Sequence, residues 1–226
     1  MKSVLFIHRS VGRNLIKDGG VYDLAARTSP EFMFDDYDQN TDLLTSSSTS
    51  MPRQMNFRFP GGDTKPSDYA SLFTEGTDLS YQDILVWALG YDVIVIKSCY
   101  PNSNITSDLE LENIKGYYQA IAKFFAGHPD KKLVIMTTPP LRWLCTKPDA
   151  AARARQLSHW LATQQLGPNT SVFNFFDLLA NPEHDPHPNV LYRKYNRPWI
   201  FDSHPNAEAS KVIAPLFVEF LATEVD

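Results

Sequence analysis

Val93-Ile94-Val95-Ile96 is an unbroken apolar run of β-branched residues, preceded by Gly90 and followed by the polar block Lys97-Ser98-Cys99-Tyr100-Pro101-Asn102-Ser103-Asn104. A run without polar alternation predicts a strand covered on both faces, the habit of parallel sheets sandwiched between helices. Outward from it, Val4–Ile7, Leu133–Thr138 and Ser171–Phe176 read as strands of the same kind. Phe32–Tyr37 reads as a fifth, with aspartates interleaved among its aromatics. Helical patterns fill the intervals: Val11–Ala26, interrupted near Gly19-Gly20, then Asp78–Leu89, Asp108–Ala126, Asp149–Gln165 and Ala207–Thr223. In Asp108–Ala126 the residues Leu111, Ile114, Tyr118, Ile121, Ala122 and Phe125 recur at three- and four-residue steps, which gives one buried stripe. Gln39–Asp68 reads as a long polar loop, and Ala180–Pro205 as a second one rich in proline and histidine. Near-strict alternation of strand and helix predicts an α/β fold: a three-layer α/β/α sandwich on a five-stranded parallel sheet, with residues 1–226 as a single domain.

Composition narrows the partners. The 226 residues are 43% hydrophobic and 21% charged, with a net charge of −5. That acidic balance gives no basic stripe of the sort nucleic acids require, so no nucleic-acid partner is expected. The longest apolar runs, such as Ile84–Leu89, fall far short of the roughly 20 residues of a membrane span. Met1–Ile7 carries too short an apolar run for a signal peptide, and a cytoplasmic location is the expectation. Cys99 and Cys145 alone cannot build a disulfide scaffold or a zinc ribbon, and reduced thiols are expected.

In an open parallel sheet, ligands bind beyond the carboxyl ends of the strands. Polar residues just after strands therefore carry the most weight: His8-Arg9-Ser10-Val11-Gly12, the Lys97–Asn104 block, and Asp202-Ser203-His204-Pro205-Asn206 before the last helix. Ser10 stands at a helix start, where unpaired N–H groups and the helix dipole favour negative charge. A hydroxyl there suits a nucleophile whose own amide helps hold an oxyanion, and it equally suits an N-cap. His204 is the natural base, with Asp202 two residues earlier to orient its ring; alone, the triplet also reads as a turn.

These three blocks, in this order and spacing, resemble those of the SGNH (GDSL-like) hydrolase superfamily. The resemblance implies a flavodoxin-like sheet, Ser10 as nucleophile, His204 as general base and Asp202 as the acid that orients it. It also implies an oxyanion hole made by a glycine of a second block and an asparagine of a third. Gly61 or Gly62 corresponds to the former and Asn102 or Asn104 to the latter, with Ser98 or Ser103 as other donors. Two departures stand out: His8-Arg9-Ser10 replaces the usual Gly-Asp-Ser, and one residue rather than two separates the acid from the histidine.

The implied function is a serine esterase working through an acyl-enzyme, with no metal or organic cofactor. Tyr100, Trp143 and Trp199 in loops suit a polar or glycan carrier, so the expected substrate is a small acyl ester, acetyl on a carbohydrate above all. An acyltransferase using the same residues is the nearest alternative. A third reading is an inactive ligand-binding relative, with Arg9 and Arg13 beside a helix N-terminus. No nucleotide-binding glycine fingerprint occurs. Glu183-His184-Asp185-Pro186-His187 holds four metal-ligand types, but its prolines break helical presentation, and it reads as a solvated loop. Lys97 at a strand end reads as touching the site or snorkelling to solvent.

Overall fold

The computed structural model describes residues 1–28, 31–49 and 51–226. Ser50, within the stretch read as a loop, lies outside the described residues. One sheet organises the chain, with strands β1 (Lys2–His8), β2 (Phe32–Asp38), β3 (Leu43–Ser46), β4 (Pro52–Gln54), β5 (Val93–Lys97), β6 (Lys132–Met136) and β7 (Thr170–Phe173). Their order is β4-β3-β2-β1-β5-β6-β7. The five expected strands are β2, β1, β5, β6 and β7, and neighbours among them run parallel. From β1 the chain steps to β2 on one side and then returns to β5 on the other, the flavodoxin-like order, which opens a crevice at the ends of β1 and β5.

Helices cover both faces: α1 (Ser10–Gly19), α2 (Val21–Ala25), α3 (Pro66–Leu72), α4 (Gln82–Ala88), α5 (Asp108–Ala126), α6 (Pro148–Thr163), α7 (Phe175–Leu179) and α8 (Ala207–Val225). Strand residues alternate between two cores. Val4, Phe6, Val93 and Val95 pack with α1, α2 and α8. Leu5, Ile7, Ile94 and Ile96 pack with α3, α4, α5 and α6. This confirms the α/β/α layering.

The strand count is corrected to seven. Gln39–Asp68 holds the antiparallel strands β3 and β4 and the start of α3. All three residues of β4 are exposed, so no hydrophobic alternation marks it. The last strand is shorter than its apolar run suggests: β7 ends at Phe173, and Phe175 and Phe176 open the five-residue helix α7, which is too short to show a helical period. The interruption expected near Gly19-Gly20 is real: Gly20 has φ +72° and separates α1 from α2.

Strand β2 buries three aspartates because each has a partner. Asp36 pairs with His8 Nε2 at 2.8 Å and accepts from the Tyr22 hydroxyl. Asp35 accepts from the Tyr91 hydroxyl at 2.8 Å, and Asp38 from Arg13 Nε at 2.5 Å. Burial pushes the Asp38 carboxyl up, but Arg13, His8 and the Asn40 amide outweigh it and hold the carboxyl below its ordinary value. Among the described residues no helix is long and apolar enough to cross a membrane.

Candidate active site

β1 ends at His8, and Ser10 begins α1 as its first helical residue. Arg9, in extended conformation, takes the N-cap position and makes no side-chain cap. The Ser10 hydroxyl is thereby free of capping work, and it meets His204 Nε2 at 2.8 Å across 194 residues of sequence. His204 Nδ1 lies 2.5 Å from Asp202 Oδ1. The same carboxylate oxygen accepts the His204 backbone N–H at 2.9 Å. A single intervening residue is what allows both bonds: an aspartate folds readily onto the amide two positions on. The short spacing therefore fixes the imidazole instead of disabling it.

Ser203, between them, is buried, and its Oγ accepts the Arg142 backbone N–H at 3.2 Å. Arg142 Nη1 donates to the carbonyls of Arg197 and Trp199, which pins the loop entering the site. Asn206 caps α8, accepting the Ala209 N–H at 3.1 Å. Burial raises the Asp202 carboxyl, yet the His204 amide and ring and the Arg197 guanidinium outweigh it and hold the group below its ordinary value. The Tyr100 ring packs edge-on against His204, with centroids 4.8 Å apart.

The remaining residues singled out from sequence have hydrogen-bond partners of their own. Asn102 Nδ2 reaches the carbonyls of Asp63 and Thr64 only at 3.4 Å each. Asn104 is exposed and accepts from the Thr146 hydroxyl at 3.1 Å. The Gly62 amide is engaged within its own turn, donating to the Pro60 carbonyl at 2.7 Å. Ser98 is buried, its Oγ 3.3 Å from the Tyr118 hydroxyl, and the Ser103 hydroxyl donates to the Pro139 carbonyl. Lys97 does not snorkel. Its ammonium is fully buried on the Ser98 carbonyl at 3.0 Å, and burial holds it below its ordinary value.

Three more residues adjoin this arrangement, of which only Thr64 went unnoticed in the sequence. Thr64 is fully buried at φ +53°, and its Oγ1 accepts the Cys99 N–H at 3.0 Å. Cys99 Sγ lies 3.8 Å from Ser10 Oγ. Arg9 grips the loop that carries Thr64, with Nη1 on Asp63 Oδ1 and Nε on Asn40 Oδ1, each at 2.6 Å. Only the loop's Pro60-Gly61-Gly62 turn signal hinted at this arrangement. Both cysteines are free thiols. In the 183–187 loop, Asp185 accepts from Asn181 and from the His187 N–H, while the His187 ring stacks on Trp143.

No family model and no curated protein sequence matches this chain. Solved structures do. A structure described as a "putative acylhydrolase" from Bacteroides fragilis is similar over 100% of this chain and 88% of its own, at TM-score 0.58 and 12% identity. A GDSL-like lipase from Bacteroides thetaiotaomicron is similar over 98% and 88%, at TM-score 0.55 and 11% identity. An acetyl esterase mutant with an acetate ion is similar over all of both chains, at TM-score 0.53 and 15% identity. At such identities the likeness establishes the fold: this chain is built on the same α/β/α plan as these lipase, acylhydrolase and esterase structures.

Proposed function

We propose that this protein is a serine esterase of the SGNH type, cleaving a small acyl ester through an acyl-enzyme. The observation that carries the reading is the continuous hydrogen-bonded chain from Ser10 Oγ through the His204 imidazole to the Asp202 carboxylate. With Nδ1–H donated to Asp202, Nε2 is left to accept the Ser10 hydroxyl proton. Ser10 Oγ attacks the ester carbonyl as its proton passes to Nε2, and Asp202 stabilises the resulting imidazolium. His204 then protonates the leaving alkoxide, which departs and leaves an acyl-serine. Water attacks in the reverse sense: its proton goes to His204, the acid is released, and Ser10 regains its proton.

The Ser10 amide, among the unpaired donors that open a helix, serves the oxyanion. The SGNH resemblance offers Asn102 Nδ2 as the second donor, and its two contacts to carbonyls are long enough to be surrendered readily. The fold shared with an acetyl esterase supports an acetyl group as the acyl part. The aromatic residues Tyr100, Trp143 and Trp199 around the loops support a carbohydrate or similar polar carrier. The test is hydrolysis of 4-nitrophenyl esters from acetate to octanoate by the native protein and by Ser10→Ala. Turnover greatest on acetate and abolished in Ser10→Ala is expected; equal rates in the two proteins refute the reading.

A further inference from the structure

Two residues before Ser10, where the usual Gly-Asp-Ser block has its glycine, this chain carries His8. Val4 and Phe6 turn into the core under α1 and α8, and by strand alternation His8, the last residue of β1, faces the same way. It is fully buried. A buried imidazole needs a partner for each ring nitrogen, and His8 has both. Nδ1 lies 2.8 Å from the Arg9 carbonyl, and Nε2 lies 2.8 Å from Asp36 Oδ2 on the neighbouring strand β2. A carbonyl only accepts, so Nδ1 carries a proton and donates it.

Asp36 is fixed in its turn. Its Oδ1 accepts the hydroxyl of Tyr22 from α2, and that hydroxyl lies 3.1 Å from the Thr45 carbonyl of β3. One hydrogen-bonded chain therefore runs from β3 and α2 through β2 to the carbonyl of Arg9. The chain that links Ser10, His204 and Asp202 makes no use of it.

The Arg9 carbonyl belongs to the same peptide unit as the Ser10 amide. That unit is planar and trans, so its N–H points opposite to its C=O, and a hold on one sets the direction of the other. The carbonyl also accepts the Arg13 N–H at 3.0 Å, the first hydrogen bond of α1, so both its lone pairs are engaged. Hydrogen bonds accepted at a carbonyl polarise the peptide and strengthen its N–H as a donor. We propose that His8 is a positioning residue: clamped by Asp36, it grips the Arg9–Ser10 peptide and so aims and polarises the Ser10 amide toward the oxyanion. A glycine at this place supplies no such hold. The inference rests on the esterase reading, in which that amide serves the oxyanion.

Two substitutions separate the two contacts of the ring. His8→Asn puts an amide nitrogen where Nδ1 stands and keeps the bond to Arg9. His8→Gln reaches the place of Nε2 and keeps the bond to Asp36 alone. Each loses one contact, so Tm should fall by similar amounts in the two; turnover should not. On 4-nitrophenyl acetate His8→Gln lowers kcat about 10²-fold with KM within about twofold of native, because the misaimed donor acts in the transition state. His8→Asn recovers at least about tenfold of that loss, which a histidine serving only the core would not predict. Native kcat in His8→Gln, or equal kcat in the two variants, overturns the proposal. Nitrogen-15 spectra of the native protein near pH 7 should show His8 Nδ1 protonated. An unprotonated Nδ1 overturns the grip, and the spectrum decides alone if neither variant folds. Absence of Ser10-dependent hydrolysis by the native protein overturns the esterase reading instead, and with it the oxyanion role, while the spectrum still judges the grip on the peptide.

Discussion

Gly12→Ala tests whether the approach of α1 to β1 sets the position of the nucleophile. A Cβ at Gly12 would stand 2.4 Å from His8 Cβ and 2.5 Å from His8 Cγ. Carbon atoms in ordinary contact sit about 3.5–4.0 Å apart, so something must move by roughly 1 Å. His8 cannot yield cheaply. It is fully buried, its Nε2 is held by Asp36 at 2.8 Å, and its Nδ1 donates to the Arg9 carbonyl at 2.8 Å. The helix must therefore shift, carrying Ser10 with it. Overpacking of this kind costs about 1–3 kcal/mol. For a chain of this size that is a fall in Tm of roughly 2–12 °C. A displacement of about 1 Å at a reacting group can cost about 10²-fold in rate. The assays are a thermal melt and turnover of 4-nitrophenyl acetate. Gly116→Ala is the control, since that glycine lies exposed in α5 with nothing within 4 Å of a new Cβ, and its Tm should rise. If Gly12→Ala matches the native protein in both Tm and turnover, the reasoning is wrong.

The other predictions concern the edges of the same site. Asp202→Asn should lower kcat by as much as about 10⁴-fold, because an amide can stabilise the wrong imidazole tautomer and cannot balance an imidazolium; a loss below tenfold contradicts the assigned role. The Asp202 carboxyl is held below its ordinary value when folded, so its contribution to stability is present above pH of about 4 and fades as pH falls through the lowered value. Melts of native protein and Asp202→Asn should therefore differ more at pH 6 than at pH 3, and a difference that grows on acidification contradicts this. Arg9 and Asp63 form a partly exposed pair, worth at most about 1 kcal/mol, over the loop that buries Thr64. Arg9→Gln and Asp63→Asn should each slow turnover up to about fivefold, and the double variant should be no slower than the worse single; additive losses would show that the two do not act together.

The sequence by itself determined the sandwich and the residues that meet in the crevice. Runs such as Val93–Ile96 leave no exposed face, and the stripe of Asp108–Ala126 has one period only, so local pattern and burial agree. It also determined that Ser10 and His204 end at the same sheet edge, because strand-to-helix alternation admits few topologies. What only the tertiary structure decided was everything resting on contacts between distant polar groups. The exposed strand β4 exists through pairing with β3 and has no pattern of its own. The buried aspartates of β2 depend on His8, Arg13, Tyr22 and Tyr91. Gly62, Ser98 and Asn104 looked available until their neighbours engaged their polar groups. Thr64, which no periodicity marks, is drawn in by the Cys99 amide and the Arg9–Asp63 pair. The physical reason is range: hydrophobic burial is non-directional and is written into local spacing, whereas a hydrogen bond needs two atoms within about 3 Å, and only the folded chain supplies that.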